Sequence, residues 1–265
     1  MGCSSSKNSN LDFPELSEQD QKDFSLIGIS SEEILKFYNL YFFFEDIYNN
    51  VEGKLLLSFS KLFHIPTESV LLQHFVDRVC TSRLNFSRFV ILIWSFCIQS
   101  ETSIASFTFD AFSKGKSNTL SVDDISDLVK FTFGGQNVAR KVKFVLNEID
   151  GNSSGEVSRA DFLLSLNSCY AFLFHTIDMQ RRMREAVLGM RVWNKKAMSA
   201  IKLVRDPAVI AVVAQVTTSN ISLRKSDEEE LLLISKSRMN RRDTMSSGIA
   251  TPSCGSVTDE NDERK

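Results

Sequence analysis

Residues 150–161, Asp-Gly-Asn-Ser-Ser-Gly-Glu-Val-Ser-Arg-Ala-Asp, carry oxygen-bearing groups at the intervals that a bound divalent cation requires. The predicted ligands are Asp150, Asn152, Ser154, Glu156 and Asp161, at loop positions 1, 3, 5, 7 and 12. Glu156 would contribute its backbone carbonyl, and the glycine at position 6 would allow a sharp turn. The sequence therefore predicts one cation site, for Ca²⁺ or alternatively for Mg²⁺.

Two residue types weaken this predicted site. Ser154 stands where a carboxylate or amide is usual, and Asp161 is one methylene shorter than the usual closing Glu. Because affinity depends on the number of charged ligands, we expect a dissociation constant of about 10⁻⁵ to 10⁻⁴ M. An aspartate at the last position also favours six-coordinate Mg²⁺. A loop that binds no ion remains the alternative.

The first of two such loops in chain order, residues 113–124, has the same register as the second loop, residues 150–161, but a different chemistry. Leu120 takes the apolar position that Val157 takes in the other loop, and the two loops begin 37 residues apart. Lys114 and Lys116 put positive charge where an ion would lie, and Asp124 is the only carboxylate left among the ligand positions. We expect this loop to maintain the fold and to bind no metal.

The flanking segments have the apolar periodicity of helices, so the fold is predicted to be all-α. A capping box, Ser30-x-x-Glu33, opens the first strong helix. Further helices are predicted at 69–79, 88–99, 103–112, 122–133, 136–149 and 160–166, and short strands at 84–86, 119–121 and 156–158. Repetition of a helix, a polar loop and another helix predicts paired helix–loop–helix lobes with short β pairing between the loops.

The N-terminus, Met-Gly-Cys-Ser-Ser-Ser-Lys, matches the pattern for N-myristoylation of Gly2. Cys3 is a natural palmitoylation site beside it. One acyl chain binds a bilayer weakly, whereas two anchor a protein stably. The longest apolar run, Phe89–Cys97, is far too short to span a bilayer. We therefore expect a protein anchored to the cytoplasmic face of a membrane, and we expect that membrane to be the plasma membrane.

Other function classes have little support in the sequence. The net charge of −2 gives no indication of a nucleic-acid partner. No nucleophile–base signature, phosphate loop or metal triad is present, so we expect no enzyme. The five cysteines include no CxxC pair, which favours a reducing compartment with Cys80, Cys97 and Cys169 in the core.

From Ser30 to about Leu166 the chain resembles calcineurin B and the related calcineurin B-like and neuronal calcium sensor proteins, which are EF-hand proteins. The resemblance rests on the opening Ser30-x-x-Glu33-Ile34-x-x-Phe37-Tyr38, on His74–Val79 followed by Leu84–Phe89, and on the loops 113–124 and 150–161. It implies a calcium-dependent regulatory subunit or adaptor that presents a hydrophobic groove to a partner helix. The lipidated N-terminus agrees with the same family.

Five aromatic residues are candidates for that groove: Phe42, Phe43, Phe86, Phe89 and Trp94. For any single one of them, however, a position in the core is the better prediction. The leading hypothesis is a membrane-anchored EF-hand sensor or adaptor whose protein partner is a phosphatase, kinase, channel or transporter. The alternative is a calcium-insensitive EF-hand scaffold at the membrane.

The C-terminal part is basic and then polar. Within 178–205, Met179, Met183, Val187 and Met190 form an apolar stripe at helical spacing among many arginines and lysines. Such a helix could lie on the bilayer, fill the protein's own groove or cover the core; we favour the groove.

The predicted organisation of the whole chain is a lipidated flexible arm (1–25), a degenerate N-terminal lobe (26–100), a C-terminal lobe (101–170), a basic helical extension (171–217) and a disordered tail (218–265). Thr244, after Arg241 and Arg242, resembles a phosphorylation site.

Overall fold

The structure is a computed structural model that describes residues 15–50, 55–79, 84–113, 118–151, 153–203 and 207–214. All of them belong to one compact unit. Gly2, Cys3, Asn152 and Thr244 lie outside the described residues. The arm before residue 15 and the tail after residue 214 lie outside them as well.

Helices form most of the described chain, which confirms the predicted all-α class. The N-terminal helices are α1 (Glu18–Leu26), α2 (Ser31–Asn50), α3 (Leu55–Phe63), α4 (Val70–Asp77) and α5 (Phe86–Cys97). The central elements are α6 (Glu101–Phe112), β1 (Thr119–Leu120), α7 (Val122–Phe133), α8 (Val138–Ile149), β2 (Val157–Ser158) and α9 (Arg159–Leu164). The C-terminal elements are α10 (Leu166–Cys169), a 3₁₀ turn (Tyr170–Leu173), α11 (Phe174–Val187), α12 (Met190–Leu203) and α13 (Pro207–Ala214).

Two helix–loop–helix units pair through a short antiparallel sheet. Leu120 of β1 lies opposite Val157 of β2, and Thr119 lies opposite Ser158. Both apolar residues are buried, so each strand turns one side chain into the core. A serine caps each following helix, with Ser121 accepting from the backbone of Asp124 and Ser158 from that of Asp161. The β pairing of the two loops is therefore as predicted.

The N-terminal helices surround α5, which is apolar on nearly all sides. Phe89 is fully buried, and its ring lies within 5.4 Å of Tyr41 and 5.2 Å of Phe44 between ring centroids. The strand predicted at 84–86 is wrong, because Asn85 caps α5 and Phe86 is its first residue. An apolar residue before a capped helix resembles a short strand in sequence.

Helix α1 corrects the expectation that residues 1–25 form a flexible arm. Ser17 and Asp20 form a reciprocal capping box at its start. Phe24 and Ile27 are buried, and the Phe24 ring meets the Phe86 ring edge-on at 6.0 Å. Only these few apolar residues anchor the helix, and so its sequence shows little periodicity.

The basic stretch 178–205 forms two helices rather than one. Helix α11 ends at Val187, Gly189 adopts a φ of 81°, and α12 begins at Met190. A left-handed residue cannot continue an α-helix, so the apolar stripe is interrupted there. None of the described helices combines the length and hydropathy that crossing a bilayer needs; α5 and α6 reach them only together, bent by 109°.

Candidate functional site

The loop between α8 and α9 is wound around the carboxylate of Asp150. Asp150 Oδ1 accepts a hydrogen bond from the Ser154 amide at 3.1 Å, and Oδ2 accepts one from the Gly155 amide at 2.7 Å. Gly155 has a φ of 82° and makes the sharp turn predicted at position 6. Charge-assisted bonds of this kind hold the first predicted ligand and the turn in fixed relative positions.

Three of the predicted ligand oxygens are neighbours in this loop. Ser154 Oγ lies 3.4 Å from Asp150 Oδ1 and 3.1 Å from the Glu156 carbonyl oxygen. Oxygens bound at right angles to a Ca²⁺ ion, at its usual bond lengths, are about 3.3–3.7 Å apart. The 3.4 Å spacing lies within this range and the 3.1 Å spacing is shorter, and both are distances at which the Ser154 hydroxyl donates a hydrogen bond.

The last predicted ligand also faces the start of the loop. A Cβ atom placed on Gly151 would lie 3.9 Å from Asp161 Oδ1, an ordinary van der Waals distance, so the end of the loop lies close to its start. Asp161 Oδ2 accepts a hydrogen bond of 2.6 Å from Ser158 Oγ. One oxygen of Asp161 is thus held by the loop, and the other is near residue 151. Asn152 lies outside the described residues.

The loop of the first unit uses its carboxylate differently. Asp124 Oδ2 accepts hydrogen bonds from the Ser121 amide at 3.0 Å and from Ser121 Oγ at 2.7 Å, which closes a capping box. Residues 114–117, including both lysines, lie outside the described residues. The Asn118 carbonyl accepts from the Arg159 amide at 3.1 Å, and this bond joins the two loops beside the sheet.

An ionic cluster that the sequence analysis missed extends from the candidate site to the N-terminal helices. Asp110 of α6 pairs with Arg159, which lies in the second loop (residues 150–161), and Asp110 is also 3.6 Å from Nη2 of Arg78, the residue after α4. All three side chains are at most one-fifth exposed. Arg159 also stacks over Phe109 at 4.6 Å and donates to Asn118 Oδ1 at 3.2 Å. The sequence feature that could have indicated this cluster is Asp110, an acidic residue inside the apolar run Phe107–Phe112.

His74 lies in the field of this cluster. Its ring meets that of Phe107 edge-on at 4.9 Å, and its Nε2 is buried without a hydrogen-bond partner. Burial, followed by the positive charge of Arg78, lowers its pKa from 6.5 to about 4, while Asp110 opposes the shift. His74 is therefore neutral at physiological pH.

The five predicted groove residues do not line one open groove. Phe89 and Trp94 are buried in the core, and Phe86 packs against Phe24 of α1. Phe42 and Phe43 are each 56% exposed on α2. The physical reason is that α5 is the central helix, whose two sides are both covered. A separate cleft of about 550 Å³ lies between α7 and α8, lined by residues such as Val122, Val138, Val142 and Leu146.

Helix α11 packs against α5, which is the position expected of a helix that covers the core, the alternative to a helix that fills a groove. Met179 and Met183 are buried, and α11 contacts α2, α3, α5 and α6. Gln180 Nε2 donates to the carbonyls of Phe96 at 2.9 Å and Gln99 at 3.2 Å, close to the C-terminal end of α5. Arg184 Nε donates to the Cys97 carbonyl at 2.7 Å. These bonds satisfy carbonyls that a helix end leaves without an internal partner.

Comparison with known proteins adds no relative to this picture. No protein-family model matches the chain, and no curated protein matches it.

Proposed function

We propose that this protein is a membrane-anchored EF-hand regulatory adaptor of the calcineurin B-like kind, with one divalent-cation site in the loop 150–161. The ligands would be Asp150, Asn152, Ser154, Glu156 and Asp161. Myristoyl and palmitoyl groups on Gly2 and Cys3 would hold it at the cytoplasmic face of a membrane, where it would bind a partner protein. The bound cation would supply positive charge that draws these oxygens together.

The observation that carries the proposal is the pairing of the two loops. Leu120 and Val157 pair across a two-residue sheet, and the loop after α8 is wound around Asp150 with its predicted ligand oxygens 3.1–3.4 Å apart. Paired EF-hand loops use this arrangement, in which ligand spacing and helix capping are set by one twelve-residue segment.

Calorimetric titration of the full chain tests the cation site. We expect a stoichiometry near one for Ca²⁺ or Mg²⁺ and a dissociation constant of about 10⁻⁵ to 10⁻⁴ M. Asp150→Ala should abolish the heat, because Asp150 is both a ligand and the centre of the loop's hydrogen bonds.

Asp127→Ala is the matched control for this titration. Asp127 is an exposed acidic residue paired with Lys130 on α7, outside both loops, so its removal should leave cation binding unchanged. Absence of heat from the parent chain at millimolar Ca²⁺ and Mg²⁺ would contradict the cation site. A stoichiometry of two would show that the first loop also binds.

Acylation is tested separately by cell fractionation. Gly2→Ala removes the acceptor for myristate and should move the protein from the membrane pellet to the supernatant. Cys3→Ser should leave weak, reversible binding, because one acyl chain gives only marginal affinity for a bilayer. Ser5→Ala, which leaves both acceptors and Ser6 in place, is the control. A Gly2→Ala protein that still pellets with membranes would contradict the anchor.

A calcium-insensitive scaffold is the second candidate function, and one observation favours it. The amides of Ser154 and Gly155 bind the Asp150 carboxylate, and the Asp110 cluster joins the loop 150–161 to the end of α4 through side-chain contacts. Under this alternative the titration gives no heat, while Asp150→Ala still lowers the stability of the fold.

A further inference from the structure

Four aromatic side chains near the α7–α8 turn and the start of α11 are unusually exposed. Phe133 is 43% exposed, Phe144 65%, Tyr170 50% and Phe174 62%. They make up half of the large apolar side chains that are exposed among the described residues. We call these four residues the aromatic patch. Exposed apolar side chains that lie together mark an interaction site more often than scattered single residues do.

Ring contacts join Phe133 and Phe174 to buried or half-buried aromatic neighbours. The Phe133 ring lies 5.5 Å from that of Phe172, which lies between Tyr170 and Phe174 in sequence. His175 bridges Phe174 and Phe131, with centroid distances of 5.5 and 4.7 Å. These contacts fix the rings of α7 against the start of α11.

Helix α8 brings basic side chains to the same patch. Lys141 Nζ lies 5.2 Å from the Phe133 ring centroid and donates to the Phe133 carbonyl at 3.5 Å. Phe144 is three residues after Lys141 and four after Arg140, so the three share one helix face. The cleft between α7 and α8 is on another face, because Phe144 is two residues, about 200° of helix rotation, from both Val142 and Leu146.

The charge of this face is opposite in sign to that of the chain. Arg140 and Lys141 share the face of α8 that carries Phe144, whereas Lys143 lines the cleft and Lys130 is paired with Asp127. The whole chain has a net charge of −2. Beyond the patch, Asp178 on α11 is bound by Arg181 and Arg182 at 2.6 and 2.7 Å. The face therefore presents aromatic rings together with net positive charge.

We propose that the aromatic patch, with Arg140 and Lys141, is a docking surface for a bilayer that contains anionic lipid. Aromatic side chains with adjacent ammonium and guanidinium groups suit the boundary between acyl chains and negatively charged headgroups. The inference extends the membrane tether of the proposed function by a second, non-covalent contact. Its test uses the unacylated protein, so this contact and the acyl anchor can be contradicted separately.

The experiment is sedimentation of the unacylated full chain, carrying Gly2→Ala, with phosphatidylcholine vesicles with and without phosphatidylserine. We expect binding only to the vesicles that contain phosphatidylserine. Phe144→Ser together with Phe174→Ser should weaken binding about tenfold or more, because two exposed rings no longer enter the interface. Arg140→Gln and Lys141→Gln should each weaken it about fivefold and reduce its salt dependence.

Helix α2 offers a matched control, since Phe42 and Phe43 are exposed to a similar extent outside the patch. Phe42→Ser with Phe43→Ser should leave vesicle binding unchanged. Circular dichroism would confirm that each variant is folded. Failure of the parent to bind phosphatidylserine vesicles, or equal losses in both double variants, would overturn the proposal. So would a loss of self-association in the patch variants, seen by sedimentation velocity, without any loss of vesicle binding.

Discussion

At the scale of single residues, the most constrained group is Asp110, which faces two arginines in a mostly buried position. Two guanidinium groups share one carboxylate. Burial lowers the pKa of Arg78, and the positive charge of Arg159 lowers it further, whereas the carboxylate of Asp110 raises it. Arg159 belongs to the second loop, and Arg78 follows α4. The cluster therefore connects the candidate cation site to the N-terminal helices by direct contacts.

His74, which adjoins this cluster, predicts a specific loss of stability in acid. Its pKa is about 4 in the folded protein, against 6.5 for an ordinary histidine. Between those pH values the unfolded chain binds the proton and the folded chain does not, so the free energy of unfolding falls as the pH falls from about 6.5 to about 4. The expected loss from this residue is about 2–3 kcal/mol.

Denaturant unfolding at pH 7 and at pH 4.5 measures this loss, and His74→Phe removes the titrating group while preserving the contact with Phe107. The variant should lose less stability than the parent between the two pH values. His64→Phe is a poorer match because His64 has a φ of 53°, so His175→Phe, on a partly exposed histidine, is the better control. An identical pH dependence in parent and His74→Phe would contradict the assignment.

At the scale of elements, helix ends decide where the chain turns. Helix α11 ends with the Gly189 amide bonded to the Arg184 carbonyl at 2.9 Å, and Gly189 has a φ of 81°. A left-handed residue at this position allows Trp193 of α12 to return to α11, where its Nε1 donates to the same Arg184 carbonyl at 3.1 Å. The basic extension therefore folds back on the protein.

Gly189→Ala should lower the free energy of unfolding by about 1 kcal/mol, because alanine is strained at this φ. No atom lies within 4 Å of the added Cβ, so backbone conformation alone accounts for the expected cost. Gly135→Ala is the matched control: its Cβ is equally open and its φ is outside the left-handed region. Stability should be unchanged there or raised by up to about 1 kcal/mol. Equal effects of the two substitutions in denaturant unfolding would show that the turn does not depend on glycine.

The same elements show how far the sequence was informative. Helix α7 has the predicted bounds, Val122–Phe133, because Ser121 with Asp124 marks its start and Gly134, with a φ of 75°, its end. Helix α1 was missed because its capping box lies in a polar segment in which Phe24 is the buried apolar residue. Phe89 and Trp94 were placed in a groove because a groove and a core use the same residue types. What distinguishes a groove from a core here is that α11 packs on α5, and no local sequence pattern encodes that long-range contact.

At the scale of the whole molecule, the C-terminal helices close onto the N-terminal ones. Trp193 is fully buried and meets the Phe37 ring of α2 edge-on at 6.4 Å. Lys196 pairs with Glu33 at 2.8 Å and donates to the Gly28 carbonyl at 2.7 Å. Glu33 also accepts from the Ser30 amide at 2.8 Å, so the capping box that opens α2 is also the anchor for α12.

This closure predicts that apolar surface of the N-terminal helices is covered by the protein itself until α11 and α12 are displaced. Trp193→Ala should lower the free energy of unfolding by about 3–5 kcal/mol, since it leaves a large cavity beside Phe37. It should also raise the fluorescence of a hydrophobic dye several-fold at a denaturant concentration where the chain is still folded. Trp193→Phe keeps the ring contact and should give a much smaller rise. If Trp193→Ala loses stability but binds no more dye than the parent, α12 does not cover an apolar surface, and a partner helix would have to bind elsewhere.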